Sequence, residues 1–247
     1  KRLLNFYGSH PQMVLTSATL SNAQEFSEKL IDERFQIINE DFSFHEGRKY
    51  YFINPPLIDK SLGLRKSMTE QTIEITSMLM TAKIQLIIFS RTRKTVEITL
   101  RKLRERFERS AENFRGYRSG YLPNERRAIE EGLRSGEVRT VVSTNALEMG
   151  IDMGKVDATI LMGYPGSISS FYQQTGRAGR RNRQGISVLV ASPSPIDQYI
   201  IQHCDYLSKG SPENALIDPN NPLILLEHLR CASFELPMSD QEYFGDL

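Results

Sequence analysis

Apolar and polar positions fall into two rhythms along the 247 residues of this chain. Short apolar runs alternate with longer stretches in which apolar residues return every three to four positions. Residues 84–90, IQLIIFS, form a nearly unbroken apolar run of the kind found in strands covered on both faces. Residues 92–109 carry Val96, Leu100, Leu103 and Phe107 at helical spacing and predict a long basic helix. A helix is likewise predicted over 69–82, with Ile73 and Met80 on one face. Pro123 suits the first turn of another, which ends near Ser135 and Gly136. Residues 113–118, 139–144, 158–162 and 185–191 read as strands, and 196–207 as a helix. Strands and helices alternating in this way predict an α/β fold, a parallel sheet with helices on both faces.

The two ends of the chain read differently. Residues 13–16 (MVLT) predict a buried strand, and Ser21 with Gln24 three positions on resembles a capping box that opens a helix to about residue 30. Residues 35–38 and 50–53 predict two further strands. Asn54, Pro55 and Pro56 break the pattern, so 54–63 is expected to be a linker. Two turn-rich stretches, GSP at 210–212 and DPNNP at 218–222, then precede an apolar helix over 223–234.

Composition narrows the choice of partners. The net charge is +1, so any attraction for nucleic acid must come from local patches. The two cysteines, Cys204 and Cys231, form no C-x-x-C, which argues against a disulfide scaffold or a zinc ribbon and fits a reducing cytosol. His203 and Cys204, like His228 and Cys231, lack the spacing of a zinc site, so no metal ligands are assigned. No apolar run is long enough to span a bilayer, and no membrane partner is expected. Lys1 is not an initiator methionine, and the chain is expected to be a piece of a longer protein.

Candidate chemistry gathers where the apolar runs end. QQTGRAGRR at 173–181 sets Arg177 and Arg180 three residues apart, so one helical turn or a tight turn aims both the same way. The adjacent glycines let backbone approach a phosphate. Such a pair suits charge stabilisation on a transferring phosphoryl group, against the plainer reading of a basic surface turn. Ser90 and Thr92 lie where a strand gives way to a helix, a place for phosphates or for a simple cap. In GYRSG, residues 116–120, Arg118 and Ser119 suit a phosphate, while Tyr117 or Tyr121 either stacks on a base or packs. Thr144 closes a strand and faces a nucleic-acid backbone. Gly150 permits a tight turn, and Asp152 either accepts from a ribose hydroxyl or caps the next turn. TSAT at 16–19 is an ordinary Ser/Thr turn or a pair of hydroxyls for a catalytic carboxylate or a water.

Taken in order, these segments resemble the helicase motifs of superfamily 2. TSAT (16–19) is similar to motif III, IIFSRTR (87–93) to motif IV, YRSGY (117–121) to the accessory motif that follows, STNALEMGIDM (143–153) to motif V and QQTGRAGR (173–180) to motif VI. Glutamine at 173, where DEAD-box enzymes usually carry histidine, resembles RecQ-like and DExH-type enzymes. The segments at 114–137, 143–154 and 221–237 resemble the MrfA (YprA) group of bacterial DNA-repair helicases.

That resemblance implies two RecA-like domains with ATP and nucleic acid bound across them. Residues 1–53 would be the tail of the first domain, 54–63 a linker, 64–209 the second domain, and 210–247 a linker and the start of a helical C-terminal region. Arg177 and Arg180 would reach the γ-phosphate, and Gln173 the attacking water or the phosphate. Gly150, Asp152 and Gly176 would line the nucleotide. Ser90, Arg91, Arg118, Ser119, Gly120 and Thr144 would hold single-stranded nucleic acid, DNA ahead of RNA, and Ser17 and Thr19 would couple the two sites. Neither G-x-x-x-x-G-K-[ST] nor D-E-x-[DH] occurs here. ATP with Mg2+ is therefore expected to be held mainly by the N-terminal RecA-like domain of the same protein, and this part to be inactive alone. The implied whole is an ATP-dependent DNA helicase, 3′ to 5′, acting in DNA repair in the bacterial cytosol or nucleoid. An RNA helicase half and a non-catalytic RecA-like binding module are the alternatives, and the intact arginines weigh against the second.

Overall fold

Residues Leu86–Ser90 are buried without exception, because their side chains alternate between two separate apolar layers. Ile87 and Phe89 point into one layer and Leu86 and Ile88 into the other. The structure, a computed structural model, describes residues 2–40, 42, 47–148, 156–179, 184–240 and 242. It divides into two compact units, 1–41 with 213–247 and 42–212.

In chain order the first unit opens with helices α1 (Arg2–Tyr7) and α2 (Ala23–Ile31). The second unit carries β1 (Arg48–Ile53), β2 (Leu57–Asp59), β3 (Leu64–Arg65), α3 (Met68–Thr81), β4 (Leu86–Ser90), α4 (Arg93–Arg106), β5 (Phe114–Tyr117) and α5 (Pro123–Ser135). It continues with β6 (Thr140–Ser143), β7 (Ala158–Met162), α6 (Ile168–Thr175), β8 (Gly185–Val190), α7 (Pro195–Gln202) and α8 (Asp205–Ser208). Helix α9 (Pro222–Glu235) returns to the first unit. Six strands form one sheet in the order β1-β8-β7-β4-β6-β5, and every neighbouring pair is parallel. Helices α3 and α4 supply Ile73, Ile75, Val96, Leu100 and Leu103 to one layer. Helices α5, α6, α7 and α8 supply Ile129, Leu133, Ile168, Phe171, Ile200 and Leu207 to the other. This is the RecA-like α/β architecture expected from the alternation of runs.

Four expectations are corrected. The segment 50–53, assigned to an N-terminal tail, belongs to β1, which pairs with β8 from Arg48↔Gly185 to Ile53↔Val190 as an edge of the sheet. Residues 54–63 are no free linker. Asp59 Oδ1 accepts from Ser61 N at 2.8 Å and from Leu62 N at 3.1 Å, closing an Asx turn that joins β2 to the antiparallel β3. The turn's hydrogen bonds, that to the Ser61 hydroxyl first, hold the Asp59 carboxyl below its ordinary pKa. Residues 13–16 and 35–38 form no strand, and Val14 and Ile38 stand 74% and 87% exposed. A strand needs a neighbour for its N–H and C=O groups, and none lies beside either run among the described residues. Ser21 and Gln24 form no capping box. Ser21 Oγ donates to Asn214 Oδ1, and the Asn22 amide pairs both ways with Ala215, at 3.0 and 2.9 Å, so these side chains tie the α2 entry to residues 214–215 instead.

Candidate functional site

The strand register sets the first part of the site. Phe89 is level with Ser143, Ser90 with Met162, and Tyr117 with Ser143, so β4, β5, β6 and β7 end together. The residues that leave this edge are Arg91, Arg118, Thr144 and Gly163, side by side at the carboxyl ends where open α/β sheets take ligands. Ser90 is buried and Arg91 exposed. Thr92 Oγ1 caps α4 by accepting from Thr95 N at 3.1 Å. Thr144 Oγ1 accepts from Ala146 N at 3.4 Å and caps the short turn 145–147. Arg93 donates to Ser119 Oγ at 2.8 Å. Arg118 is already engaged: its Nε donates to Glu97 at 2.9 Å, and its guanidinium lies 4.9 Å from the centre of the Tyr121 ring. Gly120 holds φ at 101°, a conformation glycine adopts without strain. Gly116 has another use than ligand approach, since a Cβ there would stand 2.8 Å from Tyr121 Oη. Tyr117 is core: it is 1% exposed and donates to Glu130 at 2.7 Å.

The backbone of residues 177–179 lies beside the start of β7. Helix α6 starts beyond the carboxyl end of β7 and runs back, so that Ala178 bridges Val156, just before β7 begins. Val156 N donates to Arg177 O at 3.0 Å and Gly179 N to Val156 O at 2.9 Å. Gly185, at the start of β8, makes room for this segment, because a Cβ there would come within 2.9 Å of the Ala178 carbonyl. At Gly176 a Cβ would stand 2.8 Å from Tyr172 O, which explains the glycine by the tight exit from α6. Gln173 lies on α6 and is half-buried, as is Arg177. Burial pushes the pKa of Arg177 down, against an opposing pull from Glu148. The backbone around Ala178 thus lies beside the start of β7, while the Arg177 guanidinium reaches back to the Glu148 carbonyl.

Helix α6 was not anticipated as an element, and Glu148 escaped notice as a site residue. The carboxylate of Glu148 accepts from Ser170 Oγ at 2.6 Å and from Gln174 Nε2 at 3.0 Å, and its carbonyl accepts from Arg177 Nη2 at 2.9 Å. It lines an open cleft with Ser90, Arg91, Asn145, Gly163, Ser170 and Gln174. Asp197 also escaped. Its carboxylate, 1% exposed, accepts from Tyr164 N at 3.1 Å and from Ser192 N at 2.7 Å, fixing the turns after β7 and β8. Polar residues three or four apart around 170–177 are a sequence signal that could have pointed to the α6 face. Gly150, Asp152 and Arg180 lie outside the described residues. Ser17 and Thr19 belong to the first unit, where Ser17 Oγ accepts from Thr19 N at 3.4 Å. Among the described residues no three His, Cys, Asp or Glu side chains gather to hold a metal ion. Among the described residues no helix is long and apolar enough to cross a membrane.

A six-stranded parallel sheet covered by helices on both faces is the RecA-like fold of helicase C-terminal domains. Residues 69–182 match the family described as helicase conserved C-terminal domain. Residues 217–247 match the winged helix domain of ATP-dependent helicase HRQ1. Within that class the chain is similar to the YprA/MrfA-type helicases. It is 45% identical to the ATP-dependent helicase YprA of Bacillus subtilis over 99% of this chain and 33% of that protein. It is 35% identical to the ATP-dependent helicase HRQ1 of Saccharomyces cerevisiae over 95% of this chain and 23% of that protein. The crystal structure of helicase MrfA bound to DNA superposes with a TM-score of 0.92 at 44% identity, covering 100% of this chain and 33% of that one. The chain is therefore a C-terminal helicase portion, spanning about a third of the length of YprA and of MrfA.

Proposed function

We propose that this chain is the second motor domain of an ATP-dependent DNA helicase, and that it supplies arginines to a nucleotide held mainly by the preceding RecA-like domain. The observation that carries this reading is the gathering of phosphate-suited turns at the carboxyl ends of one sheet, with Arg177 held close by through the Glu148 carbonyl. Ser90, Arg91, Ser119, Gly120 and Thr144 hold strand phosphates at the carboxyl ends. Arg118 joins them when a phosphate replaces Glu97. Phosphate contacts of this kind grip a strand without reading its sequence. We assign Arg177 and Arg180 to the γ-phosphate, Gln173 to the attacking water, and Gly150, Asp152 and Gly176 to the rest of the nucleotide. Two guanidinium groups three residues apart, Arg177 and Arg180, suit a phosphate rather than a cation. Magnesium accordingly belongs with the domain that carries the phosphate loop. Bound ATP supplies the free energy; the chain's own arginines stabilise charge on the transferred phosphoryl group.

Residues 1–41 read as the tail of that preceding domain, and Ser17 and Thr19 as its link to the strand. Supporting relatives are MrfA, solved with DNA and with DNA plus AMPPNP, and helicases named as ATP-dependent. From the same kinship we place the protein in DNA repair in the bacterial cytosol or nucleoid, moving 3′ to 5′. The test is ATP hydrolysis by the full-length protein alone, with single-stranded DNA and with single-stranded RNA. DNA is expected to stimulate most. Arg180→Ala is expected to lower turnover by about a thousand-fold or more while DNA affinity stays within a few-fold. Near-normal turnover in that variant would remove the arginine assignment, and preferential stimulation by RNA would move the substrate to RNA.

A further inference from the structure

We propose that Glu148 is a positioning residue that links the strand-binding turn to Arg177, so that engagement of the strand at Thr144 sets the placement of the arginine. The inference rests on the motor reading above and adds to it a named mechanical connection.

The turn that leaves β6 is short and closed. Thr144 caps it through Ala146 N, and Glu148 N donates to Asn145 O at 2.9 Å. Glu148 is thus tied by the backbone into the turn that Thr144 caps. Its two carboxylate oxygens accept from Ser170 and Gln174, and its carbonyl accepts from Arg177. Those three partners sit at positions i, i+4 and i+7, one face of α6 and its extension. Helix α6 spans eight residues, so a pull on Ser170 and Gln174 carries Arg177 with it. The attachment also has two chemically distinct parts. The carbonyl holds Arg177 whatever side chain stands at 148, whereas the carboxylate holds the helix. Substituting the side chain therefore loosens the linkage while leaving the arginine's own anchor in place. The Thr144 hydroxyl can donate to a phosphate while it accepts from Ala146 N, so a bound strand adds a tether to the turn without dismantling it.

The experiment compares the full-length protein with Glu148→Ala and Glu148→Gln. ATP hydrolysis is measured with and without a single-stranded DNA oligonucleotide, and DNA affinity by fluorescence anisotropy. The expected result is that the ratio of stimulated to unstimulated turnover falls about ten-fold or more in Glu148→Ala. Glu148→Gln, which keeps one acceptor oxygen, should fall less. DNA affinity should stay within about two-fold in both. A merely structural role would lower both rates together and preserve the ratio, and that outcome overturns the proposal. Where Glu148→Ala does not fold, Gln174→Ala removes one of the same bonds from the opposite side and must reproduce the loss of ratio. If the unaltered protein shows no DNA stimulation, the motor reading itself fails and this inference with it. Failure confined to the variants overturns the linkage alone.

Discussion

Tyr117 stands one position before Arg118, yet the two have opposite environments. The tyrosine hydroxyl turns inward to Glu130, and burial, aided by that carboxylate, pushes its pKa up to about 12. The unfolded phenol titrates near 10, so between about pH 10 and 12 the unfolded chain loses a proton that the native chain keeps. The Tyr117 contribution is complete below pH 10 and disappears as pH rises through 12. Chemical denaturation followed from pH 8 to 11.5 should show stability falling on this account, with a shallower fall in Tyr117→Phe. Equal slopes in the two proteins would contradict it. At this scale the sequence revealed hydroxyls and cations at the ends of apolar runs, because the chemistry of Ser90, Ser119 and Thr144 can be read without knowing their neighbours. Glu148 and Asp197 escaped because a carboxylate is defined by its donors, and theirs arrive from distant segments. Gly185 escaped for the same reason, being explained only by the backbone of Ala178 against it.

Among elements, α7 shows how the site end of the sheet is fastened. Its Asp197 accepts from the backbone after β7 and after β8, and Gly163 at φ 84° leaves room for that carboxylate, with a virtual Cβ only 3.0 Å from Oδ2. Asp197→Ala would strand two buried N–H groups, at a cost of about 2–4 kcal/mol. For a unit of this size that lowers the melting temperature by roughly 5–12 °C, to be read by calorimetry. A shift under two degrees would show that water replaces the carboxylate. The central strands were legible because burial on both faces leaves unbroken apolar runs. Residues 13–16 and 35–38 carry the same signal but have no strand beside them among the described residues, so composition alone misled. Helix α6 was hidden because its inward positions are few, Ile168 and Phe171 among serines, glutamines and a tyrosine.

For the whole molecule, the division at residues 42 and 212 yields a direct expectation. Residues 42–212 produced alone should unfold in a single cooperative transition, with circular dichroism and tyrosine fluorescence coinciding. Two separated transitions would mean that the sheet depends on the flanking residues. The pairing of β1 with β8 has a further consequence for how the protein comes into being. The strand translated first in this unit finds its parallel neighbour in the strand translated last. At about 5–20 residues per second, a ribosome needs on the order of ten to thirty seconds to travel from one to the other. Through that interval Tyr50, Phe52 and Ile53 wait outside the exit tunnel without the strand that will cover their edge. The nascent chain is then at its most adhesive, and a chaperone that binds exposed apolar segments would find its clearest target there.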